Sequence, residues 1–290
     1  MKFGIYPNLC KKNLSDNLHK LIRILSEKNL SYSLPVTMKE GLVEAGFNNE
    51  IFETVEQMGK RNIILSVGGD GSFLGAARVF KDYSINMAGI HLGELGFLNS
   101  ITVDDMEDRI DQIIAGKYDT EARIYLASDI IKDNGDVIHL PDVLNDVVIG
   151  HDQIGQLARI KLFINQHFIQ EYAADGLIIS SPTGSTGYSL SCGGPVLGPS
   201  DDEMIVVPVC AHTLQRFAMV LKKDDIIEIT VPEREKTLAI SLDGSYSYPF
   251  QYGDRLSIKA AHKPIRFIRF KDQNFFGTIT RKLVRKIVDN

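Results

Sequence analysis

The residues best suited to chemistry stand in Gly68-Gly69-Asp70-Gly71-Ser72, where a single carboxylate sits among three glycines. The motif follows the apolar run Asn62-Ile63-Ile64-Leu65-Ser66-Val67 and precedes Phe73, Leu74, Ala77 and Phe80, whose spacing predicts a helix. Glycines let a backbone pass close to a ligand. A helix N-terminus offers unpaired N–H groups and a positive dipole end, which suit a phosphate. An aspartate in that position repels phosphate unless it has work of its own. That work is to accept a proton from an attacking hydroxyl, or to hold Mg²⁺ through water. The bland alternative is an ordinary strand-to-helix turn with an Asp cap, and glycines on both sides of a lone Asp disfavour it.

A second motif is Ser180-Ser181-Pro182-Thr183-Gly184-Ser185-Thr186-Gly187-Tyr188-Ser189-Leu190-Ser191, entered from the apolar Leu177-Ile178-Ile179. Hydroxyls and glycines at this density make a polar, closely approachable backbone that can bond phosphate or ribose oxygens. A Ser/Thr-rich surface loop is the competing reading, but Gly193-Gly194-Pro195 just beyond argues for a constrained loop. Asn145-Asp146 lies inside the strand-like Val143 to Ile149. Polar residues buried there need partners, and a pair of ligand hydroxyls would supply them; an edge strand or bulge facing water would also explain them. Asp175-Gly176 reads as a turn. Gly89-Ile90-His91-Leu92-Gly93-Glu94-Leu95-Gly96-Phe97 follows a strand-like run but lacks the dinucleotide-fingerprint spacing, and His91 at a strand end is more often structural. No Gly-Lys-Ser/Thr follows a glycine turn, so there is no Walker loop.

The elements that must position these groups change grammar along the chain. Up to Gly116, strand and helix patterns alternate: Phe3 to Tyr6, a helix with Leu18, Leu21, Ile22 and Leu25 on one face, the strand before Gly68, a strand from Asn86 to His91, and a helix with Met106, Ile110, Ile113 and Ile114 inward. This implies an open parallel sheet, a Rossmann-like α/β domain. After Gly116 come dense β-branched segments, among them Arg123 to Ile131, Val143 to Gly150 and Ile265 to Phe270, with Asp133-Asn134-Gly135-Asp136 as a strong hairpin signal and Asn165-Gln166 a weaker one. They predict a β-sandwich. A final helix from Thr278 to Val288, with Ile279, Leu283 and Ile287 in register, packs back on the first domain. The expected division is 1–122 plus 271–290 for the α/β domain and 123–270 for the sandwich.

A net charge of −5 argues against a general nucleic-acid binder. Three cysteines, Cys10, Cys192 and Cys210, at no metal-ligand spacing read as thiols in a reducing compartment. No apolar run approaches a membrane span and the N-terminus is not a signal peptide; the expectation is a cytoplasmic protein without membrane partner. No metal-ligand cluster is visible, so any Mg²⁺ would arrive with a bound ligand.

Taken in order, Gly68-Gly69-Asp70-Gly71, Leu95-Gly96-Phe97, Asn145-Asp146, Asp175-Gly176-Leu177 and the loop Ser181 to Tyr188 resemble the NAD kinase family, from Lys2 to about Leu283. The glycine–aspartate motif alone is shared with diacylglycerol-type lipid kinases and is similar to one in 6-phosphofructokinases; the threonine-glycine-serine-threonine loop is much more specific. The resemblance implies transfer of a phosphoryl group from ATP, or in some bacteria polyphosphate, to the 2′-hydroxyl of the adenosine ribose of NAD, with a divalent metal, by a homodimer or homotetramer. It places Asp70 on the proton acceptor, Gly71 on a dinucleotide contact and Phe97 on an aromatic lining the site. Asn145 and Asp146 fall on a pair holding ribose and adenine, and Asp175 on an acid contacting NAD. Thr183, Thr186, Gly187, Tyr188, Ser189, Leu190 and Ser191 fall on the loop and helix start around the adenosine, and Gln156 and Ser245 on two further contacts. Many members have Asn-Glu where this chain has Asn145-Asp146, and some have Arg where it has Ala173. A lipid kinase and a non-catalytic dinucleotide sensor are the competing readings.

Overall fold

The computed structural model describes residues 1–93, 96–151, 156–212, 217–233 and 237–284. The chain forms two units, Met1–Ala122 with the segment from Ile265 onward, and Arg123–Pro264.

In the first unit Lys2–Pro7 lies between Ser31–Pro35 and Ile63–Gly68, parallel to both, and Ile63–Gly68 continues in parallel to Asn86–His91. All six residues of Ile63–Gly68 are buried, as a strand covered on both faces requires. The helix Leu14–Glu27 buries Leu14, Leu18, Leu21, Ile24 and Leu25, the stripe expected of period 3.6. In the helix Met106–Ile114 the inward face differs from the expected one. Ile114 is exposed, and Arg109 is buried beside Met106, Ile110 and Ile113. Its guanidinium bonds both oxygens of Asp272 at 2.8 and 2.7 Å, reaches Asp105 at 3.2 Å and stacks over the Phe270 ring at 4.6 Å. A cation so fully partnered fills a core position that periodicity alone assigns to an apolar side chain.

The strand Ile265–Arg269, expected in the sandwich, pairs instead in parallel with Asn86–His91 and belongs to this first sheet. The run Arg123 to Ile131 is likewise two strands: Asp119–Arg123 closes the first sheet and Leu126–Ile131 begins the second unit's strands. The last helix starts earlier than expected, at Phe275, where Asn274 Oδ1 accepts the Phe276 N–H at 2.9 Å, and passes into a π-helical turn over Thr280–Val284. Ile287 and Val288 lie outside the described residues.

The second unit is two six-stranded antiparallel sheets. Their inner faces share one core, with Val147, Ile149, Leu177 and Ile179 from one sheet against Ile160, Leu162, Ile229 and Ile258 from the other. This is the β-sandwich that the density of β-branched segments implied. The hairpin at Asn165-Gln166 has both residues at positive φ, 50° and 68°, as a two-residue type I′ turn demands.

Among the described residues no helix is long and apolar enough to cross a membrane.

Candidate active site

The first sheet reverses its strand order at Lys2–Pro7. The chain leaves this strand for Ser31–Pro35 on one side and returns through Ile63–Gly68 on the other. Open α/β sheets take ligands at such a reversal, beyond the C-terminal strand ends. Asn8 and the Gly68-Gly69-Asp70 turn leave the two strands there. Asn8 Nδ2 donates to Ser72 Oγ at 2.7 Å, and the same hydroxyl accepts the Gly69 N–H at 3.2 Å. These bonds fix the turn that launches the helix Asp70–Val79. A Cβ on Gly71 would meet none of the described residues within 4 Å. Lys11 Nζ and His91 Nε2 lie 3.9 and 3.7 Å from where a Cβ on Gly69 would sit.

The Asp70 carboxylate is held by three donors. Phe97 N–H reaches Oδ2 at 2.8 Å; Leu98 N–H and Asn99 Nδ2 reach Oδ1 at 3.3 and 2.7 Å. Gly96 is what allows the segment so close, since a Cβ there would lie 1.8 Å from Asp70 Oδ1. Asp70, Gly71 and Phe97 are thus neighbours in this unit, and the Phe97 ring has Lys282 Nζ 5.3 Å from its centroid. Glu94 and Leu95 of the expected motif lie outside the described residues.

In the second unit the strand from Val143 begins only at Asp146. The reason is a competing acceptor. The Asp243 carboxylate takes the N–H groups of Leu144, Asn145 and Asp146 at 3.1, 2.9 and 3.1 Å, so these amides do not enter the sheet ladder. Asp243 and Gly244 form the tip of the hairpin between Leu238–Leu242 and Tyr246–Phe250, at φ of 47° and 64°, with Ser245 N–H closing on Leu242 O at 2.9 Å. The Asp146 side chain is buried. Burial and the charge of Asp243 push its carboxyl up to about 7.

The hydroxyl-rich loop folds against the same strand start. Ser181 N–H donates to Asn145 O at 2.9 Å, and Ser181 Oγ donates to Leu144 O. A Cβ on Gly184 would lie 2.2 Å from Asn145 O; one on Gly187 would lie 3.9 Å from Asn145 Nδ2 and 4.0 Å from Asp146 Oδ2. Thr183–Thr186 is a 3₁₀ turn and Tyr188–Ser191 one helical turn. Thr183 and Ser189 are buried, Tyr188 and Ser191 exposed, and Leu190 between. Thr183 Oγ1 accepts from Arg123 Nη1 at 3.3 Å. The loop is constrained, as Gly193-Gly194-Pro195 suggested: Leu197 N–H donates to Ser185 Oγ at 3.1 Å.

The unit therefore gathers Asn145, Asp146, Thr183, Thr186, Gly187, Tyr188 and Ser245 about one end of the strand Gly176–Ser180. Asp175 and Gln156 lie at its other end. Asp146 pairs with Ser180 and Gly150 with Gly176, so Asp175, one residue beyond Gly176, is about 17 Å away along the strand. Gln156 is two residues before Ala158, whose partner is Ala174. Sequence reasoning missed Asn99, Asp243 and Lys11. For Asp243 a signal existed, since Asp-Gly between two runs that alternate large apolar with small residues is a type I′ hairpin signature.

A glycine-lined turn with one firmly held aspartate, at the reversal of an open parallel sheet, marks a nucleotide-binding α/β protein, here carrying a β-sandwich as its second unit. Comparison with known proteins names the family. Residues 3–118 match the ATP-NAD kinase N-terminal domain and residues 144–270 the ATP-NAD kinase C-terminal domain. The chain is 31% identical over 285 residues to an NAD kinase of Thermoanaerobacter sp. (strain X514), covering 98% of this chain and 99% of that one. It is 34% identical over 283 residues to an NAD kinase of Saccharophagus degradans, covering 97% and 95%. In fold it is similar to the yeast NADH kinase solved with NADH (TM-score 0.86, 20% identity, 98% and 87% covered). It is also similar to an Archaeoglobus fulgidus NAD kinase solved with ATP (TM-score 0.75, 20% identity, 98% of each). The chain belongs to the NAD kinase family.

Proposed function

We propose that this protein transfers the γ-phosphoryl group of ATP to the 2′-hydroxyl of the adenosine ribose of NAD, giving NADP, with Asp70 as the base. The bond from the 2′-oxygen to γ-phosphorus forms, the bridge to the β-phosphate breaks, and the hydroxyl proton passes to the Asp70 carboxylate. The observation that carries this reading is the holding of Asp70. Its three donors take three of the roughly four lone-pair positions of a carboxylate and fix its direction at the start of a helix. A fourth position serves an attacking hydroxyl. Positioning and charge stabilisation are most of what phosphoryl transfer asks of a protein.

In this reading Asn145 and Asp146 hold the ribose, and the Thr183–Ser191 loop surrounds the adenosine. Ser245, Gln156 and Asp175 make further contacts. Lys11, beside Gly69, lends positive charge to the donor phosphates. The divalent ion enters as part of the donor, as Mg²⁺–ATP, and polyphosphate is the alternative donor. The protein acts in the cytoplasm as a homodimer or homotetramer. Family membership does not favour the lipid-kinase alternative.

The test is NADP formation from NAD, ATP and Mg²⁺, repeated with polyphosphate. Wild type should turn over, and Asp70→Asn should retain its fold and lose about 10²–10⁴-fold in kcat. Near-normal turnover in folded Asp70→Asn would remove Asp70 as the base.

A further inference from the structure

We infer that Arg269 is a positioning residue for Asp70, acting through the backbone of Phe97 and Leu98. The inference rests on the reading of Asp70 as the base. The two peptide N–H groups that hold the Asp70 carboxylate belong to residues whose carbonyls are themselves held by one guanidinium. Arg269 Nη2 donates to Phe97 O at 3.2 Å and Nη1 to Leu98 O at 3.0 Å. Nε of the same group donates to Glu121 Oε2 at 3.1 Å. The arginine side chain is 14% exposed, so it is screened little by solvent.

The arrangement has two layers. Asp70 takes N–H groups from one side of the 97–98 segment, and Arg269 takes the carbonyls from the other. Phe97 O and Leu98 N–H belong to one peptide group, which is bonded at both ends and cannot turn without losing both bonds; the peptides on either side are each held at one end. The cation also draws electron density through the Phe97 carbonyl, which strengthens the Leu98 N–H of the same peptide as a donor. The segment has no regular structure to hold it: Phe97 and Leu98 lie in bends, outside helix and strand. Arg269, by contrast, stands at the end of a strand paired in parallel with Asn86–His91. Rigid sheet thus positions a loop, and the loop positions the base.

Lysine is the informative replacement. It keeps the charge but presents one compact ammonium in place of a planar fork, and cannot bridge two carbonyls and Glu121 in the same geometry. Arg269→Lys should lower kcat by about 10–100-fold, the scale of a misplacement near 1 Å, with KM for NAD changed less than about threefold. Because Arg269 works through Asp70, the double variant Asp70→Asn with Arg269→Lys should be no slower than Asp70→Asn alone. Hydrogen exchange gives a readout that needs no turnover: the Phe97 and Leu98 amides should exchange at least about tenfold faster in Arg269→Lys, while those of Ile63–Gly68 stay protected. Where Arg269→Lys fails to fold, Glu121→Gln removes the charged partner at Nε, and the same pattern is expected in milder form. Unchanged exchange at both amides, or a double variant whose loss is the product of the two single losses, would overturn the inference. If wild type makes no NADP while the two amides respond as expected, it is the kinase reading that fails and the clamp that stands.

Discussion

Asp243 bonds the backbone of Asp146 and opposes its side chain. Its Oδ1 accepts the Asp146 N–H at 3.1 Å, and its charge adds to burial in pushing the Asp146 carboxyl up to about 7. One aspartate therefore builds the strand start that presents Asn145 and Asp146, and leaves the second able to donate as well as accept a hydrogen bond near neutral pH. A ribose hydroxyl is matched by a group of either kind.

This relationship sets a pH dependence. The folded-state value of about 7 lies above the ordinary 3.8, so the folded protein keeps the Asp146 proton longer than the unfolded chain. The contribution is fully present below about pH 4 and is lost as pH rises to about 7, by an amount on the order of 4 kcal/mol. Asp146→Asn carries no such loss. In urea denaturation followed by circular dichroism, the variant should gain stability over wild type between pH 5 and pH 8. An equal difference at both pH values would show that Asp146 ionises normally.

Removing Asp243 should reach further than a turn mutation ordinarily does. Asp243→Ala leaves the amides of Leu144, Asn145 and Asp146 without their acceptor, a cost of about 3 kcal/mol for partly buried donors, and NAD affinity should fall with it. Asp243→Asn suits the positive φ of 47° and keeps the oxygen that serves two of the three amides, so its cost should be less than half. It should also shift the Asp146 titration downward, though burial, the larger cause, persists. Equal destabilisation by Ala and Asn would assign the effect to charge rather than to the lost acceptors.

Gly96→Ala tests the approach of the 96–98 segment to the base. A Cβ at 1.8 Å from Asp70 Oδ1 cannot be accommodated, so the segment must withdraw and the Phe97 and Leu98 bonds lengthen. The expected outcome is a kcat lower by about 10²-fold with a melting temperature reduced by only a few degrees. A variant with full activity would show that the donors to Asp70 are dispensable.

Much of this was legible in the residues because local pattern and global fold agree there. The apolar run before Gly68 fits a doubly covered strand, and glycines on both sides of a lone Asp favour a turn made for close approach over an ordinary Asp-capped one. Ile265 to Phe270 was misplaced because a β-branched run carries no mark of which sheet it joins; that is decided by its partner, Asn86–His91. Arg109 broke the helix pattern because its cation is satisfied by Asp105 one turn before it and, above all, by both oxygens of Asp272, a contact far away in sequence. The holding of Asp70 by Phe97, Leu98 and Asn99 was illegible for a related reason: two of the three donors are backbone, which any residue could supply.

Gly71 separates the need for a glycine in folding from the need for one in binding. Its φ is not in the left-handed region, and a Cβ would meet none of the described residues within 4 Å. None of the described residues therefore requires glycine at this place in the first turn of Asp70–Val79. By helix propensity alone, Gly71→Ala should leave stability unchanged or raise it by up to about 0.5–1 kcal/mol. The space beside it has a different use if a substrate lies against the turn, because a methyl group there displaces it from Asp70. Thermal denaturation should then show an equal or higher melting temperature, while KM for NAD or ATP rises and kcat falls, together costing at least about tenfold in kcat/KM. A variant that is stabilised and fully active would mean that the substrates do not approach this turn, and would move the reacting hydroxyl away from Asp70.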